Sequence, residues 1–335
     1  MTVLFSVIIP AFGRPEEVKE LLSGFTVQQF KDFEIIIVDG SPDTSLKKII
    51  EGFNDKIYIR YFHEKGLGIS DSRNLGAEKA AGNYLVFIDS DCIVVPAYFE
   101  NINNFLAGTK VEGFTGPDKA HPSFSGVQKA INYAMTSHFT TGGIRGQKIH
   151  IGKVHLRGFN MGISRKAFAD IGGFSGLKAG EDIDISLRFQ DAGYEAALIH
   201  NAYVYHKRKT NFLKFFVQLF LHGKARIDLF KRHRNSLKPL YFLPAIFVLY
   251  LLTGLTTAFF CGYCFVFFLF TILGYSLLLF ADASIRNKNL IVGLLSVYSA
   301  IIMLIAYGTG FIYNFTRRLI FGSKKESIRP MIIKE

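Results

Sequence analysis

Along residues 1–116, short apolar runs alternate with amphipathic stretches. The runs at 4–10, 33–38, 57–62 and 84–88 are rich in β-branched and aromatic residues and bounded by polar turns, so they read as buried strands. Between them, residues 16–25, 46–53 and 69–81 read as helices, the last rich in alanine and closed by Gly82. Strands alternating with helices predict a parallel sheet with crossover helices, an α/β layout suited to nucleotides. A later run at 197–205 reads as the last strand of this region.

Beyond residue 206 the pattern changes. Residues 240–281 hold no charged side chain over 42 positions. A bilayer needs about 20 apolar residues per helix, so this stretch suits two spans with Gly262 at the turn. A third apolar run at 290–315 is long enough for one more. Four segments are expected: an α/β domain at 1–206, a basic amphipathic segment at 207–238, an apolar region at 239–316 and a basic tail at 317–335.

With 49% hydrophobic residues in 335, the chain is too apolar to be disordered or collagen-like. Its net charge of +12 is concentrated in a band: residues 1–206 carry 21 basic and 23 acidic side chains, but residues 207–238 carry 10 and 1. Lys207, Arg208, Lys209, Lys231 and Arg232 there are interleaved with Phe212, Phe215, Phe216 and Phe220. Cations mixed with aromatics can bind nucleic acid. Beside an apolar region the same pattern reads as an interfacial helix on anionic membrane lipids, with no nucleic-acid partner.

The positive-inside rule then places the preceding domain in the cytosol and the chain in the inner, cytoplasmic membrane as a multi-pass protein. The first ten residues lack the basic start of a signal peptide, which agrees. Three spans starting from the cytosol would carry Arg317, Arg318, Lys324, Lys325 and Arg329 outside, against the same rule. Either one apolar segment is re-entrant or in-plane, or the tail is an exception. Three cysteines give no disulfide framework, and Cys261 and Cys264 read as small lipid-facing or packing residues.

In open α/β sheets ligands bind outside the carboxyl ends of the strands. Pro10-Ala11-Phe12-Gly13-Arg14 follows the first run and contains no G-x-G-x-x-G; no Walker A sequence occurs either, which argues against dehydrogenases and P-loop enzymes. Acidic groups stand there instead: Asp39-Gly40-Ser41-Pro42-Asp43 after the second run and Asp89-Ser90-Asp91 after the fourth. Carboxylates repel a phosphate ligand unless a divalent cation, Mg²⁺ or Mn²⁺, lies between them. A lone Asp-x-Asp also occurs as an Asx-rich turn, but here it ends a strand aimed at the ligand edge. Arg73, near a helix start, offers a cation for phosphate.

The order of these motifs resembles the family 2 glycosyltransferases of GT-A fold. Asn160-Met161-Gly162, Gly172-Gly173-Phe174 and Gly180-Glu181-Asp182-Ile183-Asp184 with Arg188 continue the likeness, which covers about residues 3–206. It implies a Rossmann-like GT-A catalytic domain, followed here by the interfacial helix and C-terminal transmembrane helices. For the donor, a nucleotide-sugar and first of all a UDP-sugar, it implies Asp39 and Ser41 at the nucleobase with Pro10 and Ala11 beneath. Arg73 would meet the diphosphate, Asp89 and Ser90 the ribose or sugar, and Asp91 a metal completed by His206. The family often has two consecutive aspartates after the second strand, whereas Gly40 follows Asp39 here, so Asp43 or Ser41 takes part of that role.

Asp182 resembles the catalytic base of an inverting transfer, and Asn160 and Glu181 stand on the acceptor side. Acids at 181, 182 and 184 also suit a helix amino terminus. His206 equally reads as a surface extension of the basic cluster. A membrane tether suits a lipid-linked saccharide acceptor in polysaccharide or glycolipid synthesis. The glycine-bearing stretch at 105–155 reads as a mobile segment near it, with Arg145, Lys148, Lys153 and Arg157 as candidate lipid-phosphate contacts. The chain has no Trp, hence no Gln-x-x-Arg-Trp signature of processive synthases, which favours addition of one sugar. The alternatives are sugar transfer to a bare polyprenyl phosphate and a non-catalytic nucleotide-sugar-binding membrane protein.

Overall fold

The structure is a computed structural model that describes residues 3–142, 151–152, 154–177, 179–207, 209 and 211–322. The chain runs β1 (Phe5–Ala11), α1 (Pro15–Thr26), β2 (Phe33–Asp39), α2 (Ser45–Glu51), β3 (Ile59–His63), α3 (Ile69–Lys79) and β4 (Tyr84–Ile88). Next come β5 (Cys92–Val94), α4 (Tyr98–Gly108), β6 (Gly113–Thr115), β7 (Asp118–Lys119), α5 (Gly126–Thr136) and α6 (His138–Thr141). Then follow β8 (Ile151–Gly152), β9 (Asn160–Ser164), α7 (Arg165–Asp170), α8 (Glu181–Asp191), β10 (Ala196–Leu198) and β11 (Val204–His206). Four long helices finish the described chain: α9 (Phe212–Arg232), α10 (Leu243–Phe260), α11 (Gly262–Asn287) and α12 (Leu290–Phe315).

These elements form two compact units, one built from residues up to Lys119 together with 151–206, the other from 120–142 and 207–322. In the first, an eight-stranded sheet has the order β3-β2-β1-β4-β9-β6-β10-β8, and a small sheet the order β5-β11-β7. The four expected strands are present and mutually parallel. Their apolar runs are continuous because both faces are covered. Phe5, Val7 and Ile9 of β1 join one apolar layer with Phe25 and Phe99, while Ile8 joins the other with Phe87 and Phe168. β9 inserts antiparallel between β4 and β6, and Gly162 is required there because a Cβ would stand 2.1 Å from the Phe114 ring.

Two expectations about element limits are corrected. The run at 197–205 is not one strand: Ala202 N–H turns back to the Ile199 carbonyl, so β10 pairs with β6 in the large sheet and β11 with β5 in the small one. Residues 120–142 belong with the apolar helices and not with the α/β unit. α5 opens with a capping box between Ser125 and Gln128 and buries Ile131, Ala134 and Met135 among Leu219, Ala300 and Met303.

In the second unit, Asn211 caps α9 by accepting from Leu213 N–H at 2.7 Å. Three helical stretches, Pro239–Phe260, Gly262–Asn287 and Leu290–Ile320, are long and apolar enough to cross a membrane. The uncharged run breaks at Cys261, which leaves the helix at φ −154°, one residue before the turn expected at Gly262, which instead opens α11. Cys261 and Cys264, which the sequence suggests as lipid-facing or packing residues, form a disulfide at the start of α11.

Candidate functional site

The parallel register of β1 and β2 sets Ala11 beside Asp39, so the two loops expected to cradle a donor begin together at the sheet edge. Asp39 is wholly buried. Its Oδ1 accepts from the Ser41 backbone N–H at 2.9 Å and from the Ser41 hydroxyl, and its Oδ2 accepts from the Tyr61 hydroxyl at 2.8 Å. Burial, and then the bond to Asp39, push the Tyr61 phenol above its usual range. Ser41 Oγ in turn accepts from Gly13 N–H at 2.8 Å, which ties the first loop to the second. Pro10, Ala11 and Ser41 are buried as well, so these residues shape the loops while Phe12, 60% exposed, stands out from them. Asp43 is exposed and accepts from Ser45 N–H at 2.9 Å at the start of α2.

Asp89, Ser90 and Asp91 form the turn that joins β4 to β5, closed by Cys92 N–H donating to the Asp89 carbonyl at 3.0 Å. Because β11 pairs antiparallel with β5, with His206 opposite Cys92, the imidazole Nε2 comes within 3.2 Å of Asp91 Oδ1. Arg14, the residue preceding α1, pairs with the other oxygen of Asp91. Burial opposes the charge on Asp91, but His206 and Arg14 more than offset it and hold the carboxyl well below its usual range. Along the sequence Arg14 carries no signal beyond its place just after the first strand.

The donor set here fits a hard divalent cation. Asp91, Cys92 and His206 place one donor atom each within 4.8 Å of one another. Carboxylate and imidazole suit Mn²⁺ or Mg²⁺, while a soft thiol does not, and Cys92 Sγ instead donates to the Phe159 carbonyl at 3.6 Å. Among the described residues of this cluster, Asp91 and His206 are therefore the ones that could hold such an ion.

Arg73, expected from the resemblance at the diphosphate, is a buried side chain at this edge. Its side chain is 1% exposed, and its guanidinium pairs with Asp89 at 2.8 Å, Glu181 at 3.0 Å and the Gly158 carbonyl at 3.0 Å. Burial disfavours its charge, yet the two carboxylates reverse the effect and raise its pKa. Arg73 thus links the end of β4 to the start of α8. Arg14 at this edge is half-buried, its side chain 36% exposed.

Glu181 and Asp182 open α8, which Gly180 admits by taking φ +78°. Burial first, and Asp182 second, raise the pKa of Glu181. Asp182 is half-buried, and its Oδ1 accepts from Ile183 N–H at 2.8 Å. Asn160, expected on the acceptor side, is wholly buried on β9, accepting from the Tyr98 hydroxyl and donating to the Ala202 carbonyl at 2.8 Å, so it fixes the turn before β11. Arg188 clamps Asp184 at 3.0 Å and the Gly173 carbonyl at 2.7 Å. Arg157 lies 3.7 Å from Asp118. Arg145, Lys148, Lys153 and Arg208 fall outside the described residues.

The model of the family described as Glycosyl transferase family 2 matches residues 6–172. An uncharacterized glycosyltransferase of Rickettsia felis is 35% identical over 107 residues, 30% of this chain and 18% of the relative. One of Haemophilus influenzae is 29% identical over 192 residues, 55% of this chain and 61% of the relative. The chain therefore spans less than two thirds of either relative's length. Among solved structures, the mannosyltransferase PcManGT of Pyrobaculum calidifontis, in complex with GDP-Man and Mn²⁺, superposes with a TM-score of 0.63 at 13% identity, covering 95% of this chain and 88% of that one. With the sheet order and the carboxylates at its edge, these matches make the chain a member of the family 2 glycosyltransferases, carrying a domain of GT-A fold.

Proposed function

We propose that the protein is a membrane-anchored, inverting glycosyltransferase that moves one sugar from a nucleotide-sugar to a lipid-linked saccharide at the cytosolic face of the inner membrane. The observation that carries this reading is the link through Arg73. It holds Asp89, beside the metal-type pair Asp91 and His206, to Glu181, beside Asp182. Donor-side and acceptor-side carboxylates thereby share one edge of the sheet.

On this reading the two loops after β1 and β2 receive the nucleobase and ribose, with Phe12 and the loop backbone as the accessible surface. Arg14 faces the diphosphate as a counter-charge. A divalent cation held by Asp91 and His206 would offset negative charge on the departing nucleoside diphosphate. Asp182 takes the proton from the acceptor hydroxyl as that oxygen bonds to the anomeric carbon. The bond from that carbon to the diphosphate oxygen breaks, the nucleoside diphosphate leaves with the electron pair, and the configuration inverts. The basic helix α9 and the apolar helices supply the membrane contact that suits a lipid-borne acceptor. A bare polyprenyl phosphate is the alternative acceptor.

The test is calorimetry on the detergent-purified chain with UDP and with GDP, in Mn²⁺ and after chelation, beside a transfer assay on lipid-linked saccharides. Metal-dependent nucleotide binding is expected, lost in Asp91→Ala. Asp182→Asn should keep that binding and lower transfer by about 10²–10⁴-fold, the range for a positioned general base. Full activity in Asp182→Asn would remove the mechanism. Binding of neither nucleotide would favour a non-catalytic membrane protein.

A further inference from the structure

The geometry points to a membrane arrangement in which α9 and α12 lie side by side along the headgroup layer, with only the α10–α11 hairpin crossing the bilayer. The inference rests on the membrane reading above and is independent of the transfer chemistry.

A hairpin that crosses and returns has the first turn of its first helix and the last turn of its second helix on one face. Both ends of α12 touch those turns. Near its start, a Cβ at Gly293 would stand 1.9 Å from Oγ of Ser284, close to the end of α11. Near its finish, a Cβ at Gly308 would stand 2.2 Å from the Pro244 carbonyl at the start of α10, and the Phe311 ring lies 5.1 Å from that of Phe242. Those two glycines are about 22 Å apart at the helical rise per residue, most of a hydrocarbon core about 30 Å thick. A helix that crossed would carry its far end away from the face it started on. α12 therefore runs across the base of the hairpin.

α9 accompanies α12 in the same direction. Rings of Phe212 and Tyr298 are 4.9 Å apart, Asn314 donates to the Lys224 carbonyl at 2.7 Å, and Arg318 pairs with Asp228 at 2.7 Å. Gly310 permits the approach, since a Cβ there would stand 2.1 Å from the Phe220 carbonyl. α9 carries Lys214, Lys224, Arg226, Asp228, Lys231 and Arg232, charges that are expensive in hydrocarbon. What keeps α9 at the surface keeps α12 there too.

The apolar character of α12 has a different origin from that of the hairpin. Protein covers 44% of its most apolar window, against 17% and 11% for the helices of α10 and α11. Leu213, Val217 and Leu221 of α9, with Leu290, Ile291 and Leu294 of α12, remain exposed as apolar surface. Flanked by the cations of α9, that surface fits anionic headgroups over acyl chains. The arrangement also leaves Arg317 and Arg318 on the face of the basic band, as the positive-inside rule asks.

Reporter fusions to the full chain in a bacterial host test it. Green fluorescent protein at either end should fluoresce, and alkaline phosphatase at the carboxyl end should be inactive. In Cys261→Ser, Cys264 at the hairpin turn should be labelled by a membrane-impermeant maleimide in spheroplasts. Active phosphatase at the carboxyl end, with a fluorescent amino-terminal fusion, would mean that α12 crosses and would overturn the proposal. Labelling of Cys264 only after lysis would mean that the hairpin does not cross and would overturn it equally. Sugar transfer by the carboxyl-terminal fusion is followed in parallel: inactivity with both ends inside would count against the transferase reading and leave the two-span arrangement standing.

Discussion

Arg73 is a fully buried cation whose partners, Asp89 and Glu181, come from two distant segments. Removing one member of a buried charge network leaves the others uncompensated, at a cost of about 3–5 kcal/mol. Arg73→Met should therefore lower stability by that order at neutral pH. Burial, with Asp91 beside one carboxylate and Asp182 beside the other, already raises the pKa of Asp89 and Glu181 in the folded chain. A carboxylate raised on folding favours the native state below its unfolded pKa of about 4 and loses that contribution as pH rises through the folded value. Without Arg73 both are raised further. The deficit should shrink as the pH falls from neutral towards 4, which thermal unfolding of parent and variant across that range would measure. A deficit that grew in acid would contradict this account.

Strands and helices follow their local patterns closely, but their contacts depend on small residues at particular crossings. β9 fits between β4 and β6 only because Gly162 leaves room for Phe114. α9 and α12 approach through Gly223 and Gly310, where a Cβ would stand 2.1 Å from a backbone carbonyl of the other helix. Gly310→Leu should separate the pair and destabilise the protein by about 1–3 kcal/mol, the usual cost of overpacking. Gly274→Leu on α11, where a Cβ would meet nothing within 4 Å, is the matched control and should change little. Thermal unfolding in detergent compares the two, and equal effects would show that the α9–α12 contact is not what matters.

The two units answer different solvents. The first buries two apolar layers on either side of a sheet, the arrangement of a protein in water. The second exposes Phe259, Phe260, Phe267 and Phe270 along its hairpin, an apolar surface suited to lipid. Attachment should therefore be hydrophobic first and electrostatic second. Washing membranes with about 1 M salt shortens the screening length to roughly 3 Å and weakens only the basic contribution. The protein should stay with the membrane under that wash and after alkaline carbonate, and leave only with detergent. Release by salt alone would contradict an anchored hairpin.

Much of this was legible along the chain because the signals are local. A strand buried on both faces must be a continuous apolar run, and β4 with the Asp89 to Asp91 turn after it could be read directly. Likewise, 42 uncharged residues require either lipid or protein around them. What could not be read is which distant groups meet. His206 is set beside Asp91 by the family resemblance alone, since the register of β11 on β5 that joins them is not written locally, and Arg73 turns inward because two carboxylates await it there. Asn160 likewise points from β9 to the Ala202 carbonyl in the turn before β11. Hydropathy marks a third span at 290–315, but it cannot distinguish a helix covered by lipid from one covered by other helices. Composition is the same in both cases, and only packing in three dimensions separates them.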